Sequence, residues 1–116
     1  MTELEFYDEV INQTGYEGKK KFWSVYFLSI QYRGIEFRVK YRKSKKNVRL
    51  DIINGTRTDV KFIDTYQINP PNCLRGNESK NNLSIFRDMN IDSKEDVQAT
   101  IEWINKYIPK MYDELL

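Results

Sequence analysis

Hydrophobic and polar positions alternate along the middle of the chain, from Phe22 to Phe62, whereas apolar positions near both ends recur at spacings of three and four. Alternation with a period of two is typical of strands that have one buried face. Spacings of three and four are typical of amphipathic helices. The pattern therefore predicts a central antiparallel sheet with one helix before it and one after it.

The first helix is predicted over residues 3–14. Thr2 and Glu5 have the spacing of a capping box, in which each side chain bonds to the backbone N–H of the other residue. Gly15 is suited to the left-handed conformation that ends many helices. One stripe of this helix consists of Leu4, Tyr7, Ile11 and Thr14.

Strands are predicted at about 22–32, 35–43, 46–53 and 57–63, and a short run at 83–87 is compatible with a fifth. Turn residues separate the strands of the meander at Arg33-Gly34, Ser44-Lys45 and Asn54-Gly55-Thr56. The Asn-rich run 67–82, which contains Pro70-Pro71, predicts a long loop before the last part of the chain.

The second helix is predicted over 93–115, with Ser93 and Asp96 at capping-box spacing. Its apolar stripe consists of Val97, Ile101, Ile104, Ile108, Met111 and Leu115. Pro109 lacks a backbone donor, so the helix is expected to kink or restart there. Together the elements predict one α+β domain over residues 1–116, with a four- to five-stranded antiparallel meander and both helices on one face of the sheet.

The apolar parity of the strands determines their register, because a slip of one residue would turn every side chain to the opposite face. A two-residue turn at Arg33-Gly34 places Leu28 opposite Val39, and one at Ser44-Lys45 places Val39 opposite Leu50. The other face then carries three rows of side chains across the strands. They are Ser29, Arg38, Asp51 and Asp59; Phe27, Lys40, Arg49 and Lys61; and Val25, Arg42 and Asn47, with Trp23 and Lys43 beyond them.

Positive charge is concentrated in the same part of the chain. Residues 1–18 carry five acidic and no basic side chains, residues 19–61 thirteen basic and three acidic, and residues 62–116 six basic and nine acidic, for a net charge of +2. Like charges directly opposite each other destabilise a sheet by about 0.2–1 kcal/mol per pair. The row of Lys40, Arg49 and Lys61 is therefore costly for folding, which indicates a function for its cations.

These cations predict a non-catalytic binding domain whose basic, aromatic-edged sheet face binds a polyanion, with nucleic acid as the favoured partner. Lysine and arginine neutralise phosphates, and aromatic side chains stack on bases. The predicted contact residues are Trp23, Phe27, Arg38, Lys40, Arg42, Lys43, Lys45, Lys46, Arg49 and Lys61.

Two other interpretations of this face stay open. It is compatible with a small protein-interaction module or inhibitor, for example a bacterial or phage accessory protein, that binds an acidic surface of a nucleic-acid-handling protein. It is also compatible with solvated basic side chains that are neutralised by neighbouring acidic helices.

Catalytic chemistry has little support in the sequence. The chain has no histidine and one cysteine, which excludes Ser–His–Asp and Cys–His catalysis and ordinary zinc sites, so we expect no metal or cofactor. The remaining enzyme hypothesis is a Mg²⁺-dependent nuclease that uses Asp51, Asp59 and Lys61. Because no apolar stretch is long enough to span a membrane and the acidic N-terminus lacks signal-peptide features, we expect a cytoplasmic protein without membrane contact.

Overall fold

The computed structural model describes residues 1–22, 24–53, 75–76 and 83–115. Its two described helices are α1 (Glu3–Thr14) and α2 (Lys94–Leu115). Its described strands are β1 (Glu17–Phe22), β2 (Tyr26–Tyr32), β3 (Ile35–Arg42), β4 (Asn47–Ile52), β5 (Arg75–Gly76) and β6 (Leu83–Asp88).

The predicted α+β class is confirmed. All paired strands are antiparallel, and their order across the sheet is β1-β2-β3-β4-β6-β5. The register of the central strands is also as predicted, with Leu28 opposite Val39 and Val39 opposite Leu50. Side chains of both helices share one hydrophobic core with a single face of the sheet.

Two strands differ from the prediction. Residues Glu17–Phe22 form β1, an edge strand paired with β2, so the single strand expected over 22–32 is wrong at its beginning. The second edge of β4 pairs with β6, where a strand at 57–63 was expected. Because a strand has only two edges, that expected pairing is wrong. Residues 57–63 themselves lie outside the described residues.

The predicted long loop at 67–82 also lies largely outside the described part of the chain. Within it, Arg75 and Gly76 form β5, which pairs with β6. The short run at 83–87 forms β6, so the optional fifth strand of the prediction is present.

Helix α1 begins and ends as its sequence predicts. The Glu5 N–H donates to Thr2 Oγ1 at 3.1 Å, and the Thr2 N–H donates to Glu5 Oε1 at 2.8 Å, which completes the capping box. Gly15 ends the helix at a φ of 71°, in the left-handed region that favours glycine. The buried residues of α1 are Phe6, Tyr7 and Val10. The apolar stripe is therefore rotated from the predicted one, which contained Leu4 and Ile11.

The core lies between the two helices and one face of the sheet. The strands contribute Leu28, Ile30, Phe37, Val39, Tyr41, Val48, Leu50, Ile52 and Ile85. Helix α2 contributes Val97, Ile101, Ile104, Ile108 and Met111, as its spacing predicts. In the part of the chain that the structure describes, no helix has the length and apolarity needed to cross a membrane.

Helix α2 continues through Pro109 from Lys94 to Leu115 and does not restart there. A proline removes the hydrogen bond to the carbonyl four residues earlier, which here is that of Asn105. The hydroxyl of Tyr16 donates to this carbonyl at 3.4 Å. A tertiary contact thus supplies a donor to the carbonyl that Pro109 leaves without its helical partner.

Tyr7 joins α1 to the open edge of β3. Pairing of β2 with β3 ends at Leu28 and Val39, although β3 continues to Arg42. Beyond that point the buried backbone N–H of Tyr41 donates to the Tyr7 hydroxyl at 2.9 Å, and this hydroxyl donates to Glu3. Burial raises the pKa of Tyr7 far above its ordinary value of 10.0, so the hydroxyl keeps its proton.

We expect Tyr7→Phe to lower the free energy of unfolding by about 1–3 kcal/mol, because it leaves the buried N–H of Tyr41 without an acceptor. Urea denaturation followed by tryptophan fluorescence measures this loss. Tyr112→Phe is the matched control, since the Tyr112 hydroxyl makes no hydrogen bond within the described residues. Equal stabilities of the two variants would contradict the role assigned to Tyr7.

Candidate functional site

The face of the sheet opposite the core carries five of the ten predicted contact residues. Alternation along the strands and the observed register place its basic side chains together. We call this set the basic face; it consists of Lys19, Lys21, Arg38, Lys40, Arg42 and Arg49. Lys19 and Lys21 were not predicted to belong to it, because the sequence analysis did not recognise β1 as a strand.

One row of the basic face contains Lys21, opposite Phe27, and Lys40, opposite Arg49. The next position of this row, on β6, is Phe86, which lies opposite Arg49. The predicted pairing of Arg49 with Lys61 is therefore wrong, and Lys61 lies outside the described residues. The row nevertheless has cations on three strands, because Lys21 on β1 lies at the end of the row opposite to Phe86.

The neighbouring row differs from the prediction in the same way. Arg38 lies opposite Asp51 as predicted, but the residue on the other side of Asp51 is Ser84 and not Asp59. The Ser84 hydroxyl donates a short hydrogen bond to Asp51. The carboxylate pair that the nuclease hypothesis required is thus not formed by these strands, and Asp59 lies outside the described part of the chain.

Two cations of the row that contains Lys21 form ion pairs with acidic residues, although the sequence analysis expected them to lack such partners. Lys40 Nζ lies 2.8 Å from Glu3 Oε2 on α1, and Arg49 Nε lies 3.0 Å from Asp51 Oδ2. The Arg49 N–H is not aligned with this oxygen as a hydrogen bond requires, so the contact is an ion pair. The two carboxylates offset the repulsion between Lys40 and Arg49, and the predicted folding cost of the row is therefore overstated.

Arg38 is held from two sides. Its Nε and Nη2 lie 3.1 and 3.3 Å from the two carboxylate oxygens of Glu36, and its guanidinium lies 4.9 Å from the centroid of the Phe27 ring. Burial alone would raise the pKa of Glu36, but hydrogen bonds from Arg38 and Ser29 hold it below its ordinary value of 4.5. These contacts restrict the orientation of the Arg38 side chain.

Asp51 is 3% exposed, and the pKa of its carboxyl is shifted in the opposite direction from that of Glu36. Burial raises the pKa of the Asp51 carboxyl above its ordinary value of 3.8, although Arg49 and the Ser84 hydroxyl act in the opposite direction. Burial thus makes ionisation of the Asp51 carboxyl less favourable than ionisation in water. It is paired with Arg49, whose side chain is far more exposed.

The aromatic contacts differ from the predicted ones. Phe27 is buried on the basic face at 6% exposure, and Trp23 lies outside the described residues. The exposed apolar side chains of the first hairpin are Phe22, Val25 and Tyr26. Phe22 and Tyr26 share the parity of the core residues, so they project to the side of the sheet on which the helices pack.

The remaining predicted cations lie at one end of the sheet. Arg42 lies 5.2 Å from the centroid of the Phe86 ring, while Lys43, Lys45 and Lys46 are exposed on the turn between β3 and β4. Lys21 is also exposed, and none of these four lysines has a salt bridge within the described residues. The three turn lysines line a cleft with Tyr41 of the core face and with Asp88, Asp92 and Asp96, so they lie toward the helix side of the sheet.

A cleft opens on the basic face among β2, β3 and β4. It has a volume of about 270 Å³, and its described lining residues are Val25, Phe27, Arg38, Lys40 and Arg49. The described residues contain no group of three or more cysteine, aspartate or glutamate side chains placed to hold a metal ion. The chemistry that this arrangement offers is therefore the binding of an anion by fixed cations beside an apolar wall.

Two features of the site had no usable signal in the sequence analysis. The run Lys19, Lys20 and Lys21 conceals the alternation of β1, since all three side chains are basic whichever way they face. Glu3 approaches Lys40 only through tertiary packing across 37 positions of sequence. Parity alone did place Arg38, Lys40 and Arg49 correctly on one face.

The two carboxyls predict opposite pH dependences of stability. The raised pKa of Asp51 makes its contribution less favourable as pH rises above 3.8, whereas the lowered pKa of Glu36 gives stability that is present above 4.5 and lost as pH falls. Between about pH 7 and pH 3, we expect Asp51→Asn to lose more free energy of unfolding than the wild type, and Glu36→Gln to lose less. Urea denaturation at several pH values measures both slopes, and identical slopes in the two variants would contradict the assignment.

No family model, no curated protein and no solved structure matches the chain.

Proposed function

We propose that this protein is a non-catalytic binding domain whose basic face binds a polyanion, and that the polyanion is nucleic acid. The observation that carries the proposal is the row of Lys21, Lys40 and Arg49, which places cations on three strands of one sheet face. Exposed Lys19, two positions before Lys21 on the same side of β1, extends the positive surface. Cations spaced along a surface neutralise successive phosphates and release their counterions.

The positions of the carboxylates support the same function. In both arginine pairs the cation is the more exposed partner, with Arg38 at 37% against 23% for Glu36, and Arg49 at 37% against 4% for Asp51. The carboxylates therefore lie beneath the guanidinium groups. An approaching anion meets the positive partner of both arginine pairs first, whereas in the Lys40–Glu3 pair the lysine, at 14%, is less exposed than Glu3, at 27%.

The ion pairs also decide which residues test the proposal. Replacing Lys40 would break its contact with Glu3 and disturb the anchor of α1 at Tyr7. Lys19 and Lys21 are exposed on the edge strand β1 and have no salt bridge among the described residues, so their reversal leaves the described packing intact. The double variant Lys19→Glu/Lys21→Glu therefore changes the charge of the face with little effect on the fold.

We expect the wild type to bind fluorescent oligonucleotides with an affinity that falls steeply between about 50 and 200 mM salt, as measured by anisotropy. In Lys19→Glu/Lys21→Glu the slope of log affinity against log salt should become shallower by about two. The matched control is Lys94→Glu/Lys106→Glu, which makes the same change in net charge on exposed positions of α2. Equal losses in both double variants would show only a net-charge effect, and no binding at the lower salt would refute the proposal.

A protein partner is the second candidate, and the exposed first hairpin favours it. Phe22 is 62%, Val25 50% and Tyr26 45% exposed, and the rings of Phe22 and Tyr26 lie 4.8 Å apart. Exposed aromatic residues are enriched at protein interfaces. Phe22 and Tyr26 lie on the side of the sheet away from the basic face, whereas Val25 lines the cleft of that face, so the two candidates use different aromatic and basic residues.

The double variant Phe22→Ser/Tyr26→Ser tests the second candidate. If the hairpin binds a protein, affinity purification from cell extract should recover a partner with the wild type and with Lys19→Glu/Lys21→Glu, and not with Phe22→Ser/Tyr26→Ser. Binding of oligonucleotides should be unchanged in Phe22→Ser/Tyr26→Ser. Recovery of the same proteins with every variant would remove the candidate.

A further inference from the structure

The cleft on the basic face brings three cations around a small space. Arg38 and Lys40 come from β3 and Arg49 from β4, while Val25 and Phe27 contribute an apolar wall. Its volume of about 270 Å³ lies just below the usual range for ligand pockets, about 300–1,000 Å³. The space therefore suits a single small anionic group better than a whole organic ligand.

The cations are held in position before any ligand arrives. Glu36 contacts two nitrogens of Arg38, Glu3 contacts Lys40, and Asp51 contacts Arg49. Ordering a long side chain on binding costs conformational entropy, and these contacts reduce that cost. Phe27, against which Arg38 rests, removes water from one side and strengthens electrostatic attraction in the cleft.

Donors remain for a ligand after these contacts are made. Arg38 uses Nε and Nη2 for Glu36, which leaves Nη1, and Arg49 approaches Asp51 through Nε, which leaves both terminal nitrogens. Neither arginine has another hydrogen bond among the described residues. The planar guanidinium group matches the geometry of phosphate oxygens and can donate two parallel hydrogen bonds to them.

We propose that this cleft is a phosphate-binding subsite that takes one phosphoryl group between Arg38, Lys40 and Arg49. The inference rests on the proposed function, because it assigns the phosphate to a nucleic acid strand. Lys19 and Lys21 contact neighbouring phosphates as point charges, while the cleft fixes the register of the strand on the protein.

Inorganic phosphate is the first probe, and the Nε–H resonances of the arginines are the readout. In ¹H–¹⁵N NMR spectra at constant ionic strength, phosphate added against chloride should shift the Arg38 and Arg49 resonances along a saturable curve. The Arg33 resonance is the internal control, since Arg33 lies on the β2–β3 turn at the opposite end of the sheet. Equal, non-saturating shifts at all three arginines would overturn the subsite.

Arg38→Gln tests the subsite with nucleic acid. It should weaken oligonucleotide binding about tenfold or more, because a charge-assisted pair of hydrogen bonds is lost, and it should abolish the saturable phosphate shift of Arg49. The fold should tolerate it, since Glu36 keeps its hydrogen bond from Ser29 at 2.7 Å. Arg33→Gln is the matched control for the loss of one positive charge.

The outcomes separate the two proposals. If the wild type binds oligonucleotides and Arg38→Gln behaves like Arg33→Gln, the subsite is wrong and the proposed function stands. If phosphate gives a saturable shift but no oligonucleotide binds, the subsite stands and nucleic acid is wrong as the source of the phosphate.

Single strands with and without a 5′-phosphate identify the source within the nucleic acid. An affinity gain from the 5′-phosphate that Arg38→Gln removes assigns the subsite to a terminal phosphate. Equal affinities that Arg38→Gln lowers together assign it to an internal phosphodiester.

Discussion

The antiparallel register of β2, β3 and β4 is the constraint on which both faces of this protein depend. With Leu28 opposite Val39 and Val39 opposite Leu50, every second side chain enters the core beneath α1 and α2. The intervening positions must then bring Lys40 beside Arg49. A one-residue slip would bury these cations and expose the core, so the stability of the core maintains the basic face.

Carboxylates from different parts of the chain make that face tolerable for folding. Glu3 reaches Lys40 from α1, Glu36 holds Arg38 from the same strand, and Asp51 lies beside Arg49 under the surface. The result differs from an alternating pattern of charges, because the arginines are more exposed than their acids. Repulsion within the sheet is relieved while positive groups remain available to an anion.

Prediction from the sequence succeeded where the interactions are local or periodic. The capping box of Thr2 and Glu5, the end of α1 at Gly15 and the turns of the central strands depend on residues close in sequence. It failed at β1, where three consecutive lysines show no alternation, and at β4, whose second neighbour is joined to it through a long connection. The choice between possible edge partners depends on packing across the whole sheet, which no short pattern encodes.

Three features follow from the amino-acid sequence alone: the α+β class, the core parity and the shared face of Arg38, Lys40 and Arg49. A period of two and short turns leave one register that buries the apolar side chains. Tertiary packing was needed to bring Lys21 and Phe86, and not Lys61, into the row and to place Glu3 beside Lys40. These contacts join residues far apart in the chain. Their formation depends on the energy of the complete packed domain and therefore has no local signature.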